Sequence, residues 1–155
     1  MIEVCFAGKK DLDTLQDILW ENEMGLAGDI EEHVVLKKNE KIVAGAKIAY
    51  LGDDFFHLEV IGVKNELQGK GYGKILIEKI IHNPWYYSLY ESQKENHFKI
   101  TTVSKGTKKG FYQQRGFMPC DFTELLYPYN EQCCECPEMA ECNPVPMILK
   151  WDSKE

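Results

Sequence analysis

The sequence predicts an α/β fold in which helices flank a mixed central β-sheet. Amphipathic helical segments and β-rich runs alternate along the chain, and a glycine-rich turn joins a strand to a helix near its middle. The length of 155 residues suits one domain. We therefore expect a single domain over residues 1–155, with a cysteine-rich insertion at about 119–144 before the last strand.

Composition and charge narrow the class of protein. The chain carries 18 Lys and Arg against 25 Asp and Glu, and this net charge of −7 would repel a nucleic-acid backbone. No apolar stretch approaches the ~20 residues that cross a bilayer, so no membrane partner is expected. The segment Met1–Phe6 lacks the basic and apolar regions of a secretory signal, which makes the cytoplasm the expected compartment.

The first half of the chain predicts a helix followed by strands. Apolar residues spaced three and four apart indicate a helix over 11–22, with Asp11 as its N-cap. The β-rich runs at 34–36 and 42–50 flank a polar turn and predict a hairpin. A further strand is expected at 56–63.

The second half predicts a second amphipathic helix over 71–81, ended by Pro84. A buried strand is expected at 99–103 and a last strand at 145–151. Between them, a short helix over 108–115 is expected to stop at a glycine and lead into a return strand; that glycine and the residue after it are Gly116 and Phe117.

The turn before the second helix has the chemistry of a phosphate site. Gly69, Gly71 and Gly73 allow a tight backbone whose N–H groups can approach an anion, and the helix N-terminus adds positive potential. Lys70 and Lys74 could add charge. A Walker loop is excluded because Gly-Lys is not followed by Ser or Thr, and the dinucleotide fingerprint does not fit either. A purely structural helix cap is the alternative interpretation.

Three motifs together resemble the GNAT superfamily of acetyltransferases. The segment Gln68–Gly73 matches motif A, Gln/Arg-x-x-Gly-x-Gly/Ala, at every defined position. A strand at 58–63 precedes it, and Phe-Tyr-x-x-x-Gly-Phe follows at 111–117. The likeness spans roughly residues 1–117 and resumes at 145. It implies a GNAT-like fold and transfer of an acetyl group from acetyl-CoA to a primary amine, by direct attack through a tetrahedral intermediate.

The resemblance also implies which residues bind the cofactor. The pyrophosphate would lie on the loop and the first turn of the helix, formed by Gln68, Gly69, Lys70, Gly71, Tyr72, Gly73 and Lys74. A main-chain N–H at a bulge in the preceding strand would stabilise the oxyanion, and its nearest matches are Ile61 and Gly62. Pantetheine would pair with backbone near Val63.

Catalytic roles follow from the same resemblance. Tyr112 matches the tyrosine that meets the departing thiolate, although an aromatic side chain packed under the sheet is the alternative. The base is left open between two residues of one strand face. His57 lies eleven residues before Gln68, and Glu59 is slightly preferred because a carboxylate is the commoner base in the family. An exposed strand-end His57 without a role is the alternative for that residue.

The cysteine segment lies outside the GNAT core pattern but resembles a subset of bacterial and archaeal GNAT-like sequences. Cys133, Cys136 and Cys142, completed by Cys120 or by Cys134, could hold zinc or an iron–sulfur cluster. Reduced cysteines or an adventitious disulfide are the alternatives, since there is no second Cys-x-x-Cys. We expect one metal ion that orders the loop over the acceptor site.

Two further readings stay open. One is a catalytically inactive CoA-binding module that senses metal or redox state through the cysteines. The other concerns an aromatic cluster that could line an acceptor pocket, form a homodimer contact or, preferably, pack the end of the second helix against the sheet; its members are Trp85, Tyr86, Tyr87, Tyr90 and Phe98. The acceptor, a small molecule or a peptide amine, is beyond the sequence.

Overall fold

The computed structural model describes residues 1–89, 97–131 and 143–152. The strands are Ile2–Phe6 (β1), Val34–Lys38 (β2), Lys41–Tyr50 (β3), Phe55–Val63 (β4), His97–Ser104 (β5), Met118–Pro119 (β6) and Val145–Asp152 (β7). The α-helices are Leu12–Glu21 (α1), Tyr72–His82 (α2), Pro84–Tyr87 (α3) and Lys109–Gln113 (α4). Every strand and helix predicted from the sequence is therefore present, and β1 is an additional strand that the sequence reading missed.

The chain packs as two compact units. One comprises Met1–Tyr50 and Leu58–Lys94, and the other comprises Leu51–His57 and Glu95–Glu155. Strand β4 contributes residues to both. The strand order is β1-β2-β3-β4-β5-β7-β6, with β4 and β5 parallel. This mixed seven-stranded sheet with flanking helices confirms the predicted fold class, whereas the organisation as one domain stays a prediction.

In the first unit, β1, β2 and β3 form an antiparallel ladder. The β2–β3 hairpin turns through Asn39 and Glu40, both at positive φ, as a two-residue turn between twisted strands requires. Helix α1 lies directly on β3: a Cβ added to Gly45 would stand 2.2 Å from Leu15 Cδ1. Glycine at this position is what allows the helix to pack so closely.

Helix α1 has the predicted amphipathic pattern, since Leu15, Ile18 and Leu19 are buried. Asp11 occupies the N-cap position but makes no capping hydrogen bond to α1. Its carboxylate instead accepts the N–H of Gly8 at 2.8 Å, which closes the short 3-10 turn before the helix. The predicted N-cap position is confirmed, but the carboxylate stabilises the preceding turn.

In the second unit, β5 pairs along its whole length with antiparallel β7 and, over Phe55–His57, with parallel β4. Helix α4 is shorter than predicted because a 3-10 turn occupies Gly106–Lys108. Gly116 ends this segment at φ +100, as the glycine stop predicts. The return strand is only two residues long, Met118–Pro119.

The members of the predicted aromatic cluster make different contacts. Trp85 is buried and its ring lies 5.6 Å from that of Tyr50 on β3, which confirms the preferred packing interpretation for this residue. Tyr86 and Tyr87 both lie against Phe6, and Tyr86 is also largely exposed. Phe98 packs in the second unit, against Phe56 and Trp151; Tyr90 lies outside the described residues. No helix in the described part of the chain is long and apolar enough to cross a membrane.

Candidate active site

The glycine loop before α2 has an open, left-handed backbone. Gly69 and Gly71 have φ values of +82 and +88, and Gly71 is the N-cap of α2. A Cβ at either position would meet nothing within 4 Å, so backbone strain, and not crowding within the protein, requires glycine here. The first backbone N–H groups of a helix lack intrahelical acceptors. The loop therefore offers unobstructed N–H donors at a positive helix terminus, which is the geometry of an anion site.

Gln68 ties this loop to its surroundings. Its side-chain amide donates to the carbonyl of Val63 at 3.2 Å, and to Asn22 Oδ1 and Asn65 Oδ1 at 3.0 and 3.1 Å. Asn22 in turn donates to the Val63 carbonyl at 2.9 Å. The Gln of the motif thus holds the loop against the end of β4 and the end of α1. Asn22, which the sequence reading missed, is central to this network.

The other predicted loop residues differ in what they present to solvent. Tyr72 is buried beneath the loop, with Lys38 Nζ 5.7 Å from its ring centroid, so only its backbone can serve an anion. Lys70 and Lys74 are exposed, as supplementary charges should be.

Ile61, Gly62 and Val63 lie at the end of β4 that leads into the loop. A Cβ at Gly62 would lie 3.1 Å from Asn22 Nδ2, so this glycine permits the Asn22 contact.

Glu59 forms an ion pair with Lys47 of β3. Both side chains are largely buried; the Lys47 residue is 8% exposed. The backbone at Gly28 lies close to Lys47 and Glu32, because a Cβ there would lie 3.6 Å from Lys47 Cε and 2.8 Å from Glu32 Oε1. Lys47 neutralises the Glu59 carboxylate, and the sequence reading missed this lysine.

His33 is a second buried side chain, and it bonds to the backbone on both sides of Gly28. Its Nδ1–H donates to the Asp29 carbonyl at 2.8 Å, and its Nε2 accepts the N–H of Ala27 at 3.1 Å. Because a carbonyl can only accept, this pair of bonds assigns the neutral tautomer. Burial lowers the pKa of His33, and the positive charge of Lys47 lowers it further. His33 is therefore a neutral structural residue.

In the second unit, His57 lies within β4, directly opposite Thr101 of β5. Its Nδ1 is 2.8 Å from Thr101 Oγ1, and its ring stacks on Tyr129 with centroids 3.7 Å apart. His57 is 2% exposed, so the alternative of an exposed strand-end histidine is wrong. Tyr129 and Thr101 were missed because they lie 72 and 44 residues from His57 in the sequence. The register of β4 on β5 brings Thr101 opposite His57.

Tyr112 of α4 is buried against Phe111 and Phe117. Burial raises the pKa of Tyr112 to about 12, and a side-chain hydrogen bond with Thr102 opposes that rise. Successive residues of a strand point to opposite faces of a sheet, so Thr101 and Thr102 serve opposite faces of β5. The predicted base candidate His57 and the predicted acid Tyr112 therefore bond to neighbouring threonines on the two faces of one strand.

The predicted metal ligands fall mostly outside the described residues, where Cys133, Cys134, Cys136 and Cys142 lie. Cys120 is described and is partly buried. Burial, reinforced by Glu124, raises the pKa of the Cys120 thiol to about 11, so it is protonated at neutral pH. Within residues 1–89, 97–131 and 143–152, no group of three or more potential ligands could hold a metal ion.

Comparison with known proteins identifies the family. The sequence matches the acetyltransferase (GNAT) domain over residues 29–119, more than half of the chain. The chain belongs to the GNAT acetyltransferase family. The family resemblance seen in the Gln68–Gly73 motif is thereby confirmed. A search of curated protein sequences finds no match.

Solved structures share the fold at low sequence identity. N-acetylglutamate synthase from Neisseria gonorrhoeae, solved with coenzyme A and N-acetyl-glutamate, has a TM-score of 0.74 at 15% identity, covering 97% of this chain and 35% of that chain. This GNAT chain thus spans about a third of the synthase. The PaiA N-acetyltransferase from Thermoplasma acidophilum, solved with coenzyme A, has a TM-score of 0.65 at 13% identity, covering 97% and 99%.

A third structure extends the range of GNAT relatives. The ribosomal-protein-S18-alanine N-acetyltransferase from Escherichia coli has a TM-score of 0.60 at 16% identity and covers 98% of this chain and 95% of that chain. The names of the synthase and of the ribosomal-protein acetyltransferase refer to different acceptors. The likeness therefore supports the fold alone.

Proposed function

We propose that this GNAT enzyme transfers the acetyl group of acetyl-CoA to a primary amine by direct attack, without an acyl-enzyme. The observation that carries the proposal is the open left-handed backbone at Gly69 and Gly71, placed at the N-terminus of α2. Backbone N–H groups at a helix N-terminus suit the pyrophosphate of CoA. Family membership supports the same cofactor.

The end of β4 is the proposed site for pantetheine and the thioester. Ile61 and Gly62 are the candidates for an oxyanion N–H, and both follow the segment of β4 that pairs with β5. The Val63 carbonyl already accepts from Asn22 and Gln68, which occupies its two lone pairs. Pantetheine would therefore pair with the N–H of Val63 or with neighbouring backbone groups, and not with this carbonyl.

Tyr112 is the proposed partner of the departing thiolate. A pKa of about 12 keeps its hydroxyl protonated throughout the neutral range. An ordinary thiol has a pKa of about 8.5, so full proton transfer from Tyr112 would be uphill by roughly 12 − 8.5 = 3.5 units, or about 5 kcal/mol. Tyr112 would thus stabilise the thiolate mainly by donating a hydrogen bond, with the final proton coming from solvent.

For the general base we propose His57 in preference to Glu59. The Glu59 carboxylate is held by the buried Lys47 ammonium, and breaking that pair to accept a proton would leave a buried positive charge without a partner. A neutral imidazole can accept a proton without breaking an ion pair. The ion pair supports this proposal, which differs from the slight preference for Glu59 that family frequency suggests.

The proposed reaction conserves atoms and charge. His57, which lies on the face of β5 opposite to Tyr112, would take one proton from the substrate ammonium through water, and the neutral amine attacks the thioester carbon to form a tetrahedral oxyanion. The C–S bond breaks, the thiolate leaves with a hydrogen bond from Tyr112, and the nitrogen loses its second proton as the amide forms. The sum is ammonium plus acetyl-CoA giving N-acetyl amine, CoA thiol and one proton.

The test is a thiol-release assay with acetyl-CoA across polyamines, amino acids, peptide N-termini and lysine side chains. We expect at least one amine class to raise CoA release, and Tyr112→Phe to lower kcat by about 10² at unchanged KM for acetyl-CoA. Trp20→Phe on the exposed face of α1 serves as a control aromatic substitution. If acetyl-CoA binds but no amine raises CoA release, the regulatory-module alternative replaces this proposal.

The cysteine segment carries a separate proposal, supported by ligand type and spacing alone. Cys133, Cys136 and Cys142, with Cys120 or Cys134, would hold one zinc ion or an iron–sulfur cluster. Elemental analysis of protein purified without chelators should find about one equivalent of zinc, or several of iron, per chain.

A further inference from the structure

The peptide unit between Val63 and Lys64, where β4 ends, is hydrogen-bonded at both of its edges. The Lys64 N–H donates to the carbonyl of Val43 on β3 at 2.9 Å. The Val63 carbonyl points the opposite way, as a planar trans peptide requires. It accepts from Asn22 Nδ2 at 2.9 Å and from Gln68 Nε2 at 3.2 Å. Three hydrogen bonds therefore fix the orientation of the peptide unit through which β4 leads towards the glycine loop.

The side chain of Asn22 joins this peptide unit to the end of α1. Asn22 is the C-cap of α1, and its Nδ2 also donates to the carbonyl of Ile18 at 2.9 Å, one of the last-turn carbonyls that lack an intrahelical partner. Both partners of this nitrogen are carbonyls, which can only accept, so the nitrogen and the oxygen of the amide are chemically assigned. The oxygen accepts from Gln68 at 3.0 Å. One side chain thus bonds to α1, to β4 and to the first residue of the loop motif.

The preceding residue, Glu21, binds the chain just beyond this peptide unit. Its Oε1 accepts the N–H of Asn65 at 3.0 Å, where the 3-10 turn before the loop begins. Gly62 permits the close approach of the helix end, because a Cβ there would lie 3.1 Å from Asn22 Nδ2. The last residue and the C-cap of α1 therefore hold the backbone that connects β4 to the glycine loop.

We propose that Asn22, assisted by Glu21, is a positioning residue for CoA that couples the C-terminal end of α1 to the glycine loop. This inference rests on the proposed binding of pyrophosphate by the backbone at Gly69 and Gly71. A loop that is held in its binding conformation before the ligand arrives loses less conformational freedom on binding, which raises affinity. Coupling is reciprocal, so CoA bound at the loop should in turn stabilise the end of α1.

Hydrogen exchange and CoA titration of the full chain measure this coupling without any amine. Asn22 and Glu23 donate their backbone N–H groups to carbonyls in the last turn of α1, both at 3.0 Å. In the wild type, saturating CoA should slow the exchange of these two amides about fivefold, a typical strength of coupling between sites. Asn22→Ala removes the amide without adding a charge. In this variant the slowing should be lost, and Kd for CoA should rise by a similar factor of about five.

Two sets of control variants separate positioning from a general loss of stability. Asn83→Ala removes another helix-capping side chain, which accepts the Tyr86 N–H at 3.3 Å. It should lower the free energy of unfolding without changing Kd for CoA. Glu21→Ala and Glu21→Gln lose the same charge at an exposed position, but only glutamine keeps an oxygen for the Asn65 N–H. Kd for CoA should therefore be higher in Glu21→Ala than in Glu21→Gln.

The positioning role and the proposed acetyl transfer fail on different results. An unchanged Kd in Asn22→Ala overturns the positioning role, and so does CoA-dependent slowing of exchange that is equal in the wild type and Asn22→Ala. A rise of Kd in Asn83→Ala as large as that in Asn22→Ala also overturns it, and equal Kd values in the two Glu21 variants overturn the part assigned to Glu21. If CoA binds with the expected coupling but no amine is acetylated, the proposed transfer fails while the role of Asn22 stands. If the wild type does not bind CoA, both fail.

Discussion

The ionisable side chains of this enzyme are distinguished by their partners more than by their residue types. Glu59 is paired with Lys47, His33 is bonded to backbone at both nitrogens, and His57 is bonded to a threonine. Protonating Glu59 or His33 would break one of these bonds, whereas the Thr101 hydroxyl can either donate to or accept from His57. Residue type alone does not distinguish His33 from His57.

A pair of amide substitutions tests this distinction at the residue scale. His57→Gln should lower kcat by about 10² because it removes the proton acceptor. Glu59→Gln should lower kcat less than tenfold but should destabilise the fold by about 3 kcal/mol, because it leaves the Lys47 ammonium buried and unpaired. The measurements are kcat with a fixed amine and urea unfolding of both variants.

The double variant Glu59→Gln with Lys47→Met provides the control. It replaces both charges, so it should regain stability relative to Glu59→Gln while retaining the activity that His57 supports. A loss of kcat in Glu59→Gln equal to that in His57→Gln would return the base role to Glu59.

At the scale of elements, the loop and helix that we propose bind the cofactor could be predicted because their signal is local. Glycine spacing followed by an apolar helical repeat occupies adjacent positions in the chain, so Gly71 and α2 were both found. Contacts that depend on strand register could not be found in this way. Gln68 meets Asn22 across 46 residues and His57 meets Thr101 across 44.

The missed elements have similar causes. Strand β1 is a five-residue edge strand, too short for its alternation to stand out from the adjoining helix signal. Tyr112 was found by motif, but its burial and its bond to Thr102 depend on packing between α4 and β5. The sequence therefore identified candidate residues by motif, whereas their burial and hydrogen-bond partners depend on the packing.

A glycine substitution tests the loop as an element. In Gly71→Ala, the left-handed backbone should cost about 1–2 kcal/mol, and the new Cβ should project into the space proposed for pyrophosphate. We expect KM for acetyl-CoA to rise at least about tenfold with a smaller change in kcat. Initial-rate kinetics at saturating amine measure both.

Gly52→Ala is the matched control. Gly52 has φ +94 and, like Gly71, would meet nothing within 4 Å through a Cβ, but it lies in the turn between β3 and β4. The Gly52→Ala variant should lose a similar free energy of unfolding, and its KM for acetyl-CoA should stay unchanged. If both variants raise KM equally, strain and not the anion site explains the effect.

At the scale of the whole molecule, the buried Tyr112 links stability to alkaline pH. Its pKa is raised from 10.0 to about 12 in the folded protein, because burial favours the neutral phenol. A group with a raised folded pKa contributes stability that is complete below its unfolded value and is lost as pH rises through the folded value. The unfolded chain therefore releases this proton first, and ionisation favours unfolding between pH 10 and pH 12.

The size of this effect can be isolated by comparing the wild type with Tyr112→Phe. One pKa unit corresponds to about 1.4 kcal/mol, so at pH 11 the wild type should have lost about 1.4 kcal/mol of unfolding free energy through Tyr112 alone. Phenylalanine has no proton to lose, so the difference in stability between the two proteins should shift by that amount between pH 8 and pH 11, measured by urea unfolding. Lysine deprotonation affects both proteins equally and cancels in the difference. A constant difference across that range would show that Tyr112 ionises at an ordinary pKa, and it would remove the physical basis for a phenol that stays protonated beside the departing thiolate.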